Sequence, residues 1–346
     1  MKNDILRLIG PAAYNFIEEY VQLESEQTSV VVTTNPFNIK HLKKDATAIV
    51  NLRKVNGIRY INKFFKKVNQ KLEVGQYYIC CSETIVERHK RQRINRIPIL
   101  RNLFHFGEFI FLRVFPKVWG FKKIYFLVTR GRRRLLSKAE TLGRLVCCGF
   151  DIEETRIING LLFIVAKKKE SPKCLKNVNV SYGPLFKMNR MGKNGKIIGV
   201  YKFRTMHPYS EFLQDYILKI NGYADSGKPK DDFRLTNWGG TMRKYWIDEV
   251  PQLINVLKGE LKLVGVRPIS ERYFQDIPKD LQELRLKHKP GCIPPYVALN
   301  KKSNVQSVLD AEREYLLMKN KRPYTTDTKL FFKALYNIII RRKRSA

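Results

Sequence analysis

Residues 243–268 read Arg-Lys-Tyr-Trp-Ile-Asp-Glu-Val-Pro-Gln-Leu-Ile-Asn-Val-Leu-Lys-Gly-Glu-Leu-Lys-Leu-Val-Gly-Val-Arg-Pro. Val250, Leu253, Ile254 and Leu257 recur at the three-to-four spacing of a helix, which predicts one buried apolar face. Pro251 suits a first turn, where backbone N–H groups have no partner anyway. Lys258-Gly259 marks the stop. The adjacent carboxylates Asp248 and Glu249 therefore stand in the first turn, a place where acidic residues stabilise the helix dipole in any protein. Arg243 lies upstream of them, and Arg267 lies downstream beyond a short apolar strand, Leu261 to Val264. A carboxylate pair bracketed by two guanidiniums suits a phosphorylated substrate and a metal ion.

Working outward, Tyr201-Lys-Phe-Arg-Thr-Met206 alternates cations with an apolar residue as on a strand, which puts Lys202 and Arg204 on one face. Around this lie Gly183-Pro-Leu-Phe-Lys-Met-Asn-Arg-Met-Gly-Lys-Asn-Gly-Lys196, Asp231-Asp-Phe-Arg-Leu-Thr-Asn-Trp-Gly239, Gly265-Val-Arg-Pro268 and Lys289-Pro-Gly291. With the Asp-Glu segment these are six motifs in a fixed order, and over residues ~183–340 they resemble the bacterial sugar transferase family, the monotopic polyprenyl-phosphate sugar-1-phosphate transferases.

The resemblance implies an α/β transferase domain that moves a sugar-1-phosphate from a nucleoside diphosphate sugar, UDP-linked by expectation, to a polyprenyl phosphate. Such a step initiates lipid-linked glycan synthesis. It implies Asp248 as covalent nucleophile close to Mg²⁺, with Glu249 assisting. Lys202, Arg204, Arg243 and Arg267 become expected phosphate contacts, and Arg234 and Lys289 further candidates. It also implies residence on the cytoplasmic face of the bacterial inner membrane. The sequence departs from the family at Val266, where proline is usual, and at Gly240, where arginine often stands. After Gly291, Cys-Ile-Pro-Pro-Tyr replaces the usual Thr-Gly-Trp.

Charge narrows the partners. Among 346 residues, 66 Lys and Arg against 31 Asp and Glu leave a formal charge of +35, so a polyanion is expected: nucleic acid, an anionic membrane face or a phosphorylated small molecule. Residues 88–134 hold 14 cations and one carboxylate, Glu108, within one of the most apolar stretches of the chain. That mixture points to anionic membrane lipid rather than a phosphate backbone, and no nucleic acid is expected. Residues 97–119 read as a helix broken near Pro116, a re-entrant hairpin with both ends on one aqueous face. The family carries its kinked membrane helix just before its first motif, whereas here the candidate lies well upstream. No run approaches the ~18 apolar residues of a spanning helix, and no signal peptide is visible, so the chain is expected to stay on the side where it is made. The six cysteines show no metal or redox spacing and read as buried residues in a reducing compartment.

The N-terminal half predicts strands at Val30–Val32, Ala46–Leu52 and Tyr77–Cys81, with a helix Ile58–Leu72 burying Ile61, Phe64, Phe65, Val68 and Leu72. A helix follows with Leu136, Ala139, Leu142 and Leu145 on one side, then strands Ile152–Ile158 and Leu161–Ala166 joined by Asn159-Gly160, a strong hairpin signal. This order resembles the second half of a methyltransferase domain. No glycine occurs between Gly10 and Gly57, so the cofactor-binding loop is missing and the reading is an incomplete, Rossmann-like, non-catalytic scaffold. The expected organisation is 1–168 for this domain with its insertion at about 88–134, 169–182 as linker, and 183–346 as the transferase domain. A basic nucleic-acid-binding protein and an intact methyltransferase are the alternatives.

Overall fold

The computed structural model describes residues 2–42, 46–92, 97–115, 120–130, 134–172, 183–222 and 229–343. It divides into two compact units: residues 1–182 with 207–222, and residues 183–206 with 223–346. Both mix helices with sheet, an α/β composition.

In the first unit, helices α1 (Lys2–Ile9) and α2 (Pro11–Glu18) lead to β1 (Thr28–Val31), α3 (Pro36–Lys40), β2 (Ala48–Asn51), α4 (Ile61–Lys71) and β3 (Tyr77–Ser82). Then come α5 (Ile85–Arg91), α6 (Pro98–Phe109), α7 (Phe121–Thr129), α8 (Lys138–Cys147), β4 (Phe150–Ile158) and β5 (Leu161–Lys168). The strands make one sheet in the order β1-β2-β3-β5-β4, parallel through β3 and antiparallel beyond it. β2 is buried along its whole length, as a parallel strand covered on both faces must be. Phe16, Ile17 and Leu23 pack with Val50, Ile79, Phe163 and Val165, while Phe65 of α4 meets Tyr78, which in turn meets Phe150. The apolar periodicity of α4 and α8 is borne out, and Asn159-Gly160 forms the β4–β5 turn with both residues at positive φ.

The long apolar window is less regular than a single broken helix. α6 passes into a π-helical turn at Ile110–Val114, and α7 begins after Gly120; Pro116, the expected break, lies outside the described residues. Ile99 is 82% exposed and Leu127 80%, so this arm presents apolar side chains outward. Of the cysteines, Cys80, Cys81, Cys148 and Cys292 are free thiols, whereas Cys147 is disulfide-bonded, which corrects the expectation for that residue.

Residues 207–222, which include α9 (Gln214–Asn221), lie with this first unit. Tyr209 is buried at φ 64°. Its hydroxyl accepts from Asn62 Nδ2 at 2.7 Å, and the Arg144 guanidinium lies 4.2 Å from its ring centroid. Arg144 is itself bonded to Glu140 and Asn62. The approach depends on Gly143, where a Cβ would stand 2.2 Å from the Tyr209 carbonyl oxygen.

The second unit begins with the hairpin β6 (Leu185–Met191) and β7 (Ile197–Phe203). It continues with α10 (Asn237–Lys244), a 3₁₀ turn at Ile247–Gln252, α11 (Leu253–Leu257), β8 (Lys262–Val264), α12 (Glu271–Asp276) and α13 (Lys279–Leu286). β9 (Gly291–Ile293), α14 (Pro295–Ala298), α15 (Val305–Lys321) and α16 (Thr325–Ile339) complete it. β8 and β9 pair in parallel, so close that a Cβ on Gly291 would stand 2.2 Å from the Gly265 amide nitrogen. Leu281, Tyr296, Val297, Tyr315, Leu316 and Leu330 form the core. α16 docks there through Leu330 and Ala334, and Asn337 Nδ2 donates to the Val297 and Ala298 carbonyls.

One expectation is overturned here. Val250, Leu253, Ile254 and Leu257 do not form a buried face: all four are exposed, Leu257 to 89%. The inward face carries Asp248, Gln252 and Asn255 instead; Asp248 and Asn255 have partners inside, the Lys202 ammonium and the Tyr201 amide. Most of the expected linker lies outside the described residues.

Gly143→Ala is expected to lower stability by ~1–3 kcal/mol through overpacking. Gly107→Ala, at a position with no neighbour within 4 Å, should leave it unchanged or slightly raised. Thermal unfolding of the two variants side by side measures the difference.

Candidate active site

Asn255 is fully buried and joins the helical segment to the hairpin. Its Oδ1 accepts from the Tyr201 amide at 2.9 Å, and its Nδ2 donates to the Gly199 carbonyl at 2.9 Å and to Glu260 Oε2 at 2.6 Å. With β7 fixed against the 3₁₀ turn, Lys202 meets both carboxylates. Its Nζ pairs with Asp248 Oδ2 at 2.9 Å and donates to Glu249 Oε1 at 3.1 Å. Arg267 Nη2 donates to the same Glu249 oxygen at 3.0 Å.

Arg267 is placed by its backbone. Its N–H donates to Glu312 Oε1 at 3.3 Å, its carbonyl accepts from Arg285, and Arg285 and Glu312 form a buried ion pair. Two core charges thus hold a residue whose own side chain is partly exposed.

A cleft of about 290 Å³ opens beside these groups, at the small end for ligand sites. Met188 and Arg190 of β6 and Val200 and Lys202 of β7 line one wall, two residues apart on each strand as the pleat requires. Glu249, Gln252, Arg267, Ser270 and Tyr273 line the rest. Burial first, and then the charge of Arg267, push the Arg190 guanidinium below the usual arginine range. Burial, with Glu249 adding to it, pushes the Cys292 thiol up to about 12, so it is not a thiolate near neutral pH.

Asp248 is 2% exposed and sits behind Lys202 rather than in the cleft wall, which Glu249 occupies. Burial lowers the basicity of Arg243, opposed by the negative charges of Asp248 and Asp232, and its Nε donates to Thr205 Oγ1 at 2.9 Å. Other sequence candidates lie apart. Arg204 donates to the Gly183 carbonyl and lies over the Phe186 ring. Arg234 forks onto Asp232 through Nε and Nη2 at 2.8 and 2.7 Å. Lys289 Nζ lies beside Gly259, past the end of α11. The structure therefore brings together Lys202, Asp248, Glu249 and Arg267 and adds Arg190, Ser270 and Tyr273. The sequence reading passed over Arg190, although its strand alternation with Met188 was a usable signal.

Two adjacent carboxylates supply the oxygen donors that Mg²⁺ takes, and among the described residues no third His, Cys, Asp or Glu completes a three-donor cluster with them. A magnesium ion commonly takes one or two carboxylates and completes its shell with water and substrate phosphate, so the pair fits it.

Comparison with known proteins bears on the same half of the chain. Residues 174–341 match the model of the bacterial sugar transferase family. Relatives include galactosyl transferase CpsE of Streptococcus agalactiae, 41% identical over 111 residues, which is 32% of this chain and 24% of the relative. Undecaprenyl-phosphate galactose phosphotransferase of Salmonella typhimurium is 39% identical over 119 residues, again 32% of this chain and 24% of the relative. Exopolysaccharide production protein ExoY of Sinorhizobium fredii is 35% identical over 107 residues, 30% of this chain and 47% of the relative. The matched part of the chain thus spans between a quarter and a half of these relatives.

Asn255→Leu strips partners from the Tyr201 amide and Gly199 carbonyl, and each buried group left unsatisfied costs ~1–3 kcal/mol. Arg285→Met leaves Glu312 as an unpaired buried charge, with an expected loss of about 3–5 kcal/mol. The two ranges overlap, so thermal unfolding should give both variants midpoints well below that of Arg204→Gln.

Proposed function

We propose that this chain, whose residues 174–341 match the model of the bacterial sugar transferase family, transfers a sugar-1-phosphate from a nucleoside diphosphate sugar to a polyprenyl phosphate. The observation that carries the proposal is the cluster Lys202–Asp248–Glu249–Arg267, two carboxylates and two cations joined by bonds of 2.9–3.1 Å at the edge of a cleft. The relatives' names supply the substrate class, galactose and undecaprenyl phosphate among them.

In this reading an Asp248 oxygen attacks the β-phosphorus of the donor. The new bond joins aspartate oxygen to phosphorus, the bond to the α–β bridging oxygen breaks, and the nucleoside monophosphate leaves with that oxygen. An oxygen of the polyprenyl phosphate then attacks the same phosphorus and releases Asp248 unchanged. A carboxylate cannot approach a diphosphate without charge neutralisation. Arg267 and Arg190 are placed to bind phosphate oxygens, and Lys202, which holds Asp248 in the resting arrangement, turns to the substrate as the aspartate is freed. Asp248 and Glu249 would hold Mg²⁺, whose contribution is to offset diphosphate charge. Glu249, lining the cleft, positions the incoming group.

The acceptor is a lipid, and the exposed face of Val250, Leu253, Ile254 and Leu257 stands next to the carboxylates on the same segment. We read that face as lying in a membrane surface, on the cytoplasmic side of the inner membrane. The exposed apolar residues of α6 and α7, flanked by cations, act likewise on anionic lipid in their own unit. No helix among the described residues is long and apolar enough to cross a membrane. The N-terminal sheet we read as an incomplete methyltransferase-like scaffold that lacks the glycine loop for a nucleotide cofactor.

Incubating the detergent-solubilised protein with Mg²⁺ and UDP-galactose, or a panel of other UDP-sugars, without acceptor should add one phosphosugar mass to the intact chain. Asp248→Asn should show no adduct and release no UMP when polyprenyl phosphate is added. Glu249→Gln should retain the adduct but turn over ~10²- to 10³-fold more slowly. UMP release by Asp248→Asn at the wild-type rate would defeat the covalent route.

A further inference from the structure

Away from this site, the first unit holds a second cluster of chemistry-bearing groups at the foot of its apolar arm. Glu108, the single carboxylate of residues 88–134, is only 9% exposed on an arm whose other side chains point largely outward. Its Oε1 accepts from Arg88 Nε at 2.8 Å and from Gln92 Nε2 at 3.3 Å. Its Oε2 lies 3.2 Å from His89 Nε2. His105, one turn before Glu108 on α6, brings its ring centroid to 3.7 Å from that of His89. One donor atom from each of His89, His105 and Glu108 falls within 4.8 Å of the others.

We propose that His89, His105 and Glu108 bind a divalent transition metal of the zinc class, tying the last turn of α5 to α6. Bonds of ~2.0–2.1 Å at a tetrahedral angle separate neighbouring donors by roughly 3.4 Å. The 3.2 Å between His89 Nε2 and Glu108 Oε2 already has that spacing, and the third donor is within a side-chain rotation of it. Glu108 divides its two oxygens suitably: Oε1 stays with Arg88, the outer-shell hydrogen bond that ligating carboxylates ordinarily have, while Oε2 faces the histidines. Two imidazoles and a carboxylate form a mixed nitrogen and oxygen set, which favours zinc over magnesium or calcium, and the fourth position is left to water. The joint fixes the base of the helix that exposes Ile99, Leu103 and Phe106. It does not depend on the transferase reading.

The test uses the full chain in detergent, stripped with EDTA and desalted. Titration with ZnCl₂ by calorimetry should give one zinc per chain that the double variant His89→Ala/His105→Ala binds at least ~100-fold more weakly, more than the loss of an outer-shell partner alone would produce. Co²⁺ should give visible d–d absorption in the wild type that His105→Gln removes, with an unchanged far-UV circular dichroism spectrum showing that this milder variant is folded. Asp248→Asn should bind zinc as the wild type does, which separates this site from the carboxylate pair. Equal zinc affinity in wild type and histidine variants, or no cobalt absorption in the wild type, overturns the proposal.

Discussion

Asn255 is the point on which the second unit's chemistry turns. A hairpin edge strand leaves backbone groups to be satisfied, and of the short helical segment beside it Val256 packs against the small apolar cluster of Ile198, Val200 and Leu261. One buried carboxamide satisfies the strand by accepting from Tyr201 and donating to Gly199. That fixes the register between β7 and the 3₁₀ turn, and the register puts Lys202 between Asp248 and Glu249. Arg267 reaches Glu249 through a second polar device, the Arg285–Glu312 pair, which holds its main chain at both N–H and carbonyl. Buried polar groups fully supplied with partners rigidify a structure, and partly supplied ones are costly, so both devices are poor places for change.

The same logic explains the inverted helix. An amphipathic segment ordinarily buries its apolar stripe, but here the inward positions are taken by Asp248, Gln252 and Asn255, and the partners of Asp248 and Asn255 lie inside. The apolar stripe is turned out as a consequence. On a protein that works in water this would be an aggregation liability. In the function proposed above it is an asset, since a polyprenyl acceptor would not have to leave its own phase to meet the carboxylates.

The first unit shows a related economy. Its sheet is built from apolar central strands with helices on both faces, and it also holds residues 207–222, taken from within the stretch that the family model matches. Tyr209 enters because Gly143 has no side chain, and Arg144 covers its ring. Residues 207–222 are thereby anchored within the first unit.

How far the sequence reaches can be followed residue by residue. Local periodicity located β3, α4, α8 and the Asn159-Gly160 hairpin, because each rests on neighbours a few positions apart. Motif order alone pointed to the family whose model matches residues 174–341, and the carboxylate pair stood out by charge. The burial of Asp248 behind Lys202, the withdrawal of Arg234 onto Asp232, the entry of Arg190 into the cleft and the outward turn of Leu257 were decided only by tertiary structure. Apart from Arg234, whose partner is two residues away, these depend on contacts distant in the sequence, Asn255 with Gly199 and Arg267 with Arg285 and Glu312 among them, and a helical period cannot reveal which of its two faces has somewhere to go.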